Sequence, residues 1–173
     1  MKTKVTDSYL FKCFLLVFIC FVIDSTIYFF LPYNFAKTGI TFIPCLGLMM
    51  FTLLVKTIQG AERYLFAAIC GVYYSIIYSN SLAIYILIYC LIAFVRSYVI
   101  KLESFSMLES MIFCTLTIFA QECVLYWLMW ITNMTRYPIS SFMLMRVLPT
   151  MILNFVLSIG VYLIYNKVKI EVE

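Results

Sequence analysis

The stretch Arg146-Val-Leu-Pro149-Thr150-Met-Ile-Leu-Asn154 decides how this chain must be read. It stands at the mouth of an apolar run that continues to Tyr165, yet it carries a guanidinium, a proline and a carboxamide. On a helix, Arg146, Thr150 and Asn154 recur every four residues and share one face, and Ser158 extends the stripe. Hydrocarbon offers such side chains no partner, so the ridge has to face other helices. Pro149 lacks an amide hydrogen. It either begins the membrane-crossing helix or bends it by releasing the carbonyl four residues earlier. The expectation is a short interfacial helix from about Pro138 to Val147, a break, and then the span proper.

The rest of the chain defines the medium. At 173 residues it has room for one domain, and 65% of it is hydrophobic against 12% charged. A soluble globule with a mean hydropathy of +1.06 would expose apolar patches of a size that soluble monomers avoid. Long apolar runs between short polar breaks indicate a polytopic, all-α integral membrane protein. Lysines precede the first run as they do in an export signal, but its length and aromatic end read as a retained helix. The breaks predict a single six-helix transmembrane domain over 1–173, with spans at 9–31, 40–55, 61–79, 82–100, 107–131 and 142–165. The second span, about 16 residues or roughly 24 Å, falls short of the roughly 30 Å hydrocarbon core. It must borrow flanking residues or sit where the bilayer thins. Pro44 suits its first helical turn.

Charge sets the orientation. Lys2, Lys4, Lys12, Lys56, Arg63, Arg96, Lys101, Lys167 and Lys169 fall on the side of the N-terminus, and only Lys37, Arg136 and Arg146 fall opposite. This bias places both termini in the cytoplasm. The nine read as anchors at an anionic leaflet, so the net charge of +4 calls for no nucleic acid.

Three ionisable residues remain within or at the edge of apolar spans: Asp24, Glu122 and Arg146. All three fall at a similar outward depth, so Arg146 is expected to pair with Glu122, Asp24 or both. The polar ridge is open to three readings: packing and register within one subunit, a docking or switching surface, or transport of a substrate or proton. Tyr85 and Tyr89 share a face and belong to the core or to a cavity wall, while Trp127 and Trp130 fit an external aromatic belt. There is no histidine, and the seven cysteines are scattered without paired short spacing. Zinc, haem and Ser/His/Asp chemistry therefore lack their usual ligands or base. No catalytic residue, metal or cofactor is expected, and the chain does not read as an enzyme.

The opening segment also carries a resemblance. Its arginine, Leu-Pro-Thr, leucine-rich stretch and asparagine resemble the signature of the MreD family, the rod shape-determining membrane proteins. Phe42-Ile43-Pro44, Gly60, Gly71-Val-Tyr-Tyr-Ser75 and Leu82-Ala83-Ile84-Tyr85 are similar as well, and the likeness covers essentially the whole chain. Two positions depart: Cys45 stands where the family often has histidine, and Ser75 where it often has aspartate. The resemblance implies a bundle like the six-helix substrate-binding subunits of energy-coupling factor transporters, in the bacterial cytoplasmic membrane. It implies a scaffold that associates with MreC and, through it, with the RodA glycosyltransferase, a class B penicillin-binding protein and MreB filaments, amid membrane lipids. The competing expectation is a substrate-binding subunit of such a transporter. Against it, Phe11–Phe30 holds no alanine or glycine for docking a coupling subunit, and no external loop is long enough for a lid.

Overall fold

The computed structural model describes residues 3–30, 39–78, 82–99, 106–133, 135 and 138–170. Residues 79–81 between the third and fourth expected spans, most of 32–39 between the first and second, and Lys2, Lys37, Lys101 and Arg136 lie outside them. The fold is all-helical, with no strand among the described residues. In chain order the helices are α1 (Thr3–Phe30), α2 (Leu46–Leu54), α3 (Gly60–Tyr78), α4 (Leu82–Phe94), α5 (Met107–Ile131), α6 (Ile139–Phe142) and α7 (Leu148–Ile170). Five-residue π turns, Val95–Val99 and Met143–Val147, follow α4 and α6.

Three helices are long and apolar enough to cross a membrane: Tyr9–Ile27 within α1, all of α5, and the continuous Ile139–Val168. Ala83–Tyr98 is apolar but shorter. Burial is distributed as a bilayer requires. Phe11, Leu15, Phe18, Ile19 and Val22 are exposed along α1, while Asp24, Glu122, Thr150 and Asn154 are buried. Such a surface suits hydrocarbon and would be an aggregation hazard in water.

The short α2 lies at the centre, packed against α1, α5 and α7, while α3 pairs with α4 and also meets α1. Gly71 sets the α3–α4 approach: a Cβ there would come within 2.7 Å of the Ile86 Cα. Aromatic rings fill the interior around α2. Phe51 stacks on Phe66 at 5.5 Å and meets Tyr89 at 4.8 Å, and Tyr74 meets Tyr85 at 4.8 Å. Tyr85 and Tyr89 are thus core residues. At the start of α5, a capping box supplies the local stop signal: Ser106 N–H donates to Glu109 Oε2 at 2.8 Å, and Glu109 N–H donates to Ser106 Oγ at 3.4 Å.

Three expectations need correction. The second helix does not begin near Ile40. Residues 40–45 are non-helical, Cys45 is the N-cap, and Pro44 lies just before the helix rather than in its first turn. Proline disfavours helical geometry at the residue before it, and here other helices supply the hydrogen bonds that a longer helix would have made itself. Second, no break separates the expected interfacial helix from the last span. The Met143–Val147 π turn carries the chain through, with Leu148 N–H bonded to Met143 O. Third, Arg96 is no leaflet anchor. It shares a face with Tyr89 and Ala93, is 1% exposed, and its guanidinium lies 5.6 Å over the Phe113 ring.

Candidate functional site

A nine-residue helix is too short to be stable alone, and α2 is held at both ends by side chains from elsewhere. At its N-terminus the first amides point inward, where water cannot reach them. Asp24 on α1 meets them: Oδ1 accepts from Leu46 N–H at 2.9 Å and Oδ2 from Gly47 N–H at 2.8 Å. A carboxylate there also complements the positive end of the helix dipole. Gly47 admits this approach because a Cβ would collide with the ring of Phe21.

The segment leading into α2 is satisfied in turn by the stretch from Arg146 to Asn154. Asn154 Oδ1 accepts from Cys45 N–H at 2.8 Å, and Asn154 Nδ2 donates to Ile43 O at 2.7 Å and to Thr150 O at 2.9 Å. Thr150 Oγ1 reaches Thr41 O at 3.5 Å. Pro149 cannot bond the carbonyl of Met145, and that released oxygen accepts from Thr41 N–H at 2.8 Å. Pro44 has no amide to satisfy. Extended backbone inside a bundle is tolerated only with such an account of its polar groups.

At the other end of α2, Arg63 Nε from α3 donates to Val55 O at 3.2 Å and to Ile58 O at 2.8 Å. Tyr9 on α1 donates to Thr57 Oγ1 at 2.7 Å, and that hydroxyl donates on to Leu54 O at 2.7 Å. A cation at the C-terminal end and an anion at the N-terminal end match the dipole together.

Arg146 and Glu122 form a separate, adjacent pair. Nε lies 2.8 Å from Oε2 and Nη2 3.3 Å from Oε1, a two-point contact between α5 and the π turn. Burial is unequal: the Arg146 side chain is 39% exposed and that of Glu122 only 3%. The guanidinium also lies 5.9 Å over the Phe142 ring. Of the two carboxylates open to Arg146, Glu122 takes it, because both Asp24 oxygens are engaged by α2.

The structure therefore brings Asp24, Pro44, Thr150 and Asn154 into one cluster, with Arg146, Glu122 and Pro149 beside it. Cys45 takes part through its backbone, and Ser75 is buried on α3. Sequence reasoning missed Arg63, Tyr9 and Thr41. No residue pattern announces these three, because Arg63 and Thr41 are bound through backbone carbonyls and Tyr9 through the hydroxyl of Thr57. Chemically the cluster holds backbone in place: its donors and acceptors face each other, and among the described residues no group of three metal-binding side chains occurs. No family model, no curated protein and no solved structure matches the chain.

Proposed function

We propose that the chain is a non-enzymatic membrane scaffold of the bacterial cell-elongation machinery. In this reading it crosses the cytoplasmic membrane six times with both termini in the cytoplasm. It associates with MreC, and with it supports RodA, a class B penicillin-binding protein and MreB. One observation carries the proposal. The residues that resemble the MreD signature, Arg146, Pro149, Thr150 and Asn154, are all engaged in fixing one helix against its neighbours. Residues used in this way make a rigid shape for another protein to read, which is what a scaffold needs. The interior around α2 is filled by Phe21, Phe51, Tyr74 and Tyr89, an arrangement that suits a scaffold better than a carrier with an enclosed ligand.

Depletion tests the reading. Loss of the protein should round or widen the cells and disperse MreC, and photocrosslinkers on the lipid-facing sides of α1, α5 and α7 should capture MreC. Cysteine labelling in a Cys-free background should find position 168 cytoplasmic and position 135 external. Tight binding of a vitamin by the purified protein, with uptake lost and cell shape unchanged on depletion, would establish the transporter alternative instead.

A further inference from the structure

A cavity of about 1030 Å³ lies between the C-terminal end of α5 and α6, apart from the polar cluster. Cys123, Trp127, Trp130, Ile139, Phe142 and Met143 are among the residues that line it, and Asn133 and Thr135 stand at its polar edge. Its volume lies just above the roughly 300–1,000 Å³ of pockets that take a small molecule. One wall is fixed in advance, since Phe142 stacks on Tyr126 with centroids 4.5 Å apart and carries the Arg146 guanidinium on its ring.

We propose that this cavity holds an acyl chain of a membrane phospholipid. The cavity is continuous with a surface that hydrocarbon must cover: Trp127 and Trp130 are 59% and 60% exposed, and Ile131 and Ile139 are exposed beside them. Both walls belong to helices long and apolar enough to cross a membrane, and in a bilayer the mouth would open to lipid. Tryptophans at a membrane helix end sit at headgroup level. This places the polar edge, Asn133 and Thr135, toward the headgroups and the apolar wall toward the chains. A phospholipid has that same gradation. None of the described residues lining the cavity is charged, so the site recognises the chain and not the charge of the headgroup. This inference is independent of the scaffold reading.

The sequence supplies the reporter. The chain has two tryptophans, Trp127 and Trp130, and both line the cavity. Full-length protein, delipidated in mild detergent, would be titrated with phosphatidylcholine bearing a brominated acyl chain while tryptophan emission is followed. Quenching should saturate, and unbrominated lipid of the same length should restore the emission. Phosphatidylglycerol with the same brominated chain should give the same half-saturation. Val124, on α5, also lines the cavity; Val124→Phe and Ile139→Phe, which fill it from the α5 and α6 sides, should weaken half-saturation at least about tenfold with helical content unchanged. Ile139 is exposed, so that variant keeps the test open if Val124→Phe fails to fold. Three results would each overturn the proposal: quenching that rises without saturating, saturation unchanged in the filled variants, or a preference of about tenfold or more for one headgroup. So would tryptophans shielded from lipid by a second copy of the chain, seen as a dimer by sedimentation.

Discussion

Replacing Asn154 with leucine keeps the volume of the side chain but removes every hydrogen bond it makes. Two of those bonds serve backbone groups outside any helix: the Cys45 amide at 2.8 Å and the Ile43 carbonyl at 2.7 Å, which otherwise meets the weakly donating Cys45 thiol at 3.6 Å. The third, to Thr150 O, serves a carbonyl inside α7 that already lies within reach of the helix ladder. Orphaning a buried donor or acceptor costs roughly 1–3 kcal/mol, so the two together predict a loss of about 2–6 kcal/mol. The control is Ser158→Ala, equally buried, whose hydroxyl bonds Phe155 O on its own helix. It should lose at most about 1 kcal/mol. Reversible unfolding in mixed micelles, as the SDS fraction rises, compares the three proteins directly. The reasoning fails if Asn154→Leu costs no more than the roughly 0.6 kcal/mol average for interhelical hydrogen bonds in membranes. In that event something other than Asn154 holds the segment before α2.

The Arg146–Glu122 pair should respond unequally in the same assay. Arg146→Ala strands a carboxylate that is 3% exposed and should cost about 3–5 kcal/mol. Glu122→Gln leaves a guanidinium that is 39% exposed and should cost less, and adding it to Arg146→Ala should recover part of the loss. Asp24→Ala removes both acceptors from the start of α2 and should cost about 2–6 kcal/mol, while Asp24→Asn, which retains one, should fall between it and wild type. Gly71→Ala would drive its new methyl into the Ile86 backbone and should destabilise by about 1–3 kcal/mol. Gly160→Ala, with open space around it, should be neutral or stabilising by up to about 1 kcal/mol.

Much of this arrangement could be read from residue spacing because helix geometry is periodic and lipid satisfies no polar group. Arg146, Thr150, Asn154 and Ser158 fall on one ridge for that reason, and the depth argument brought Glu122 to Arg146. Asp24 was harder to place. Its partner is the exposed start of a helix, and a positive helix end is not a residue type that can be seen in a sequence. Arg63 was obscured in the same way, because its acceptors are carbonyls at Val55 and Ile58. The boundaries of the second and last spans shifted for one shared reason. Pro44 and Pro149 each interrupt local bonding, and only the folded arrangement shows that Met145 O released by one proline serves Thr41 beside the other. Arg96 was misjudged because a position near a helix end predicts depth but not the direction in which the side chain turns.

The bonds around α2 also differ in when they can form. Asp24 and Leu46 are 22 positions apart, whereas Cys45 and Asn154 are 109 apart. A ribosome delivering this chain has already made Asp24 when Leu46 emerges, whereas Asn154 follows Cys45 by 109 residues. Chains emerge at roughly 5–20 residues per second, so the lead-in to α2 spends on the order of ten seconds with its amide and carbonyl unanswered. During that interval the segment is a ready substrate for insertion factors and membrane proteases, and arrival of α7 closes it. Substitutions at Asn154 should therefore shorten the lifetime of newly made chains in the cell more than their effect on the finished bundle would suggest.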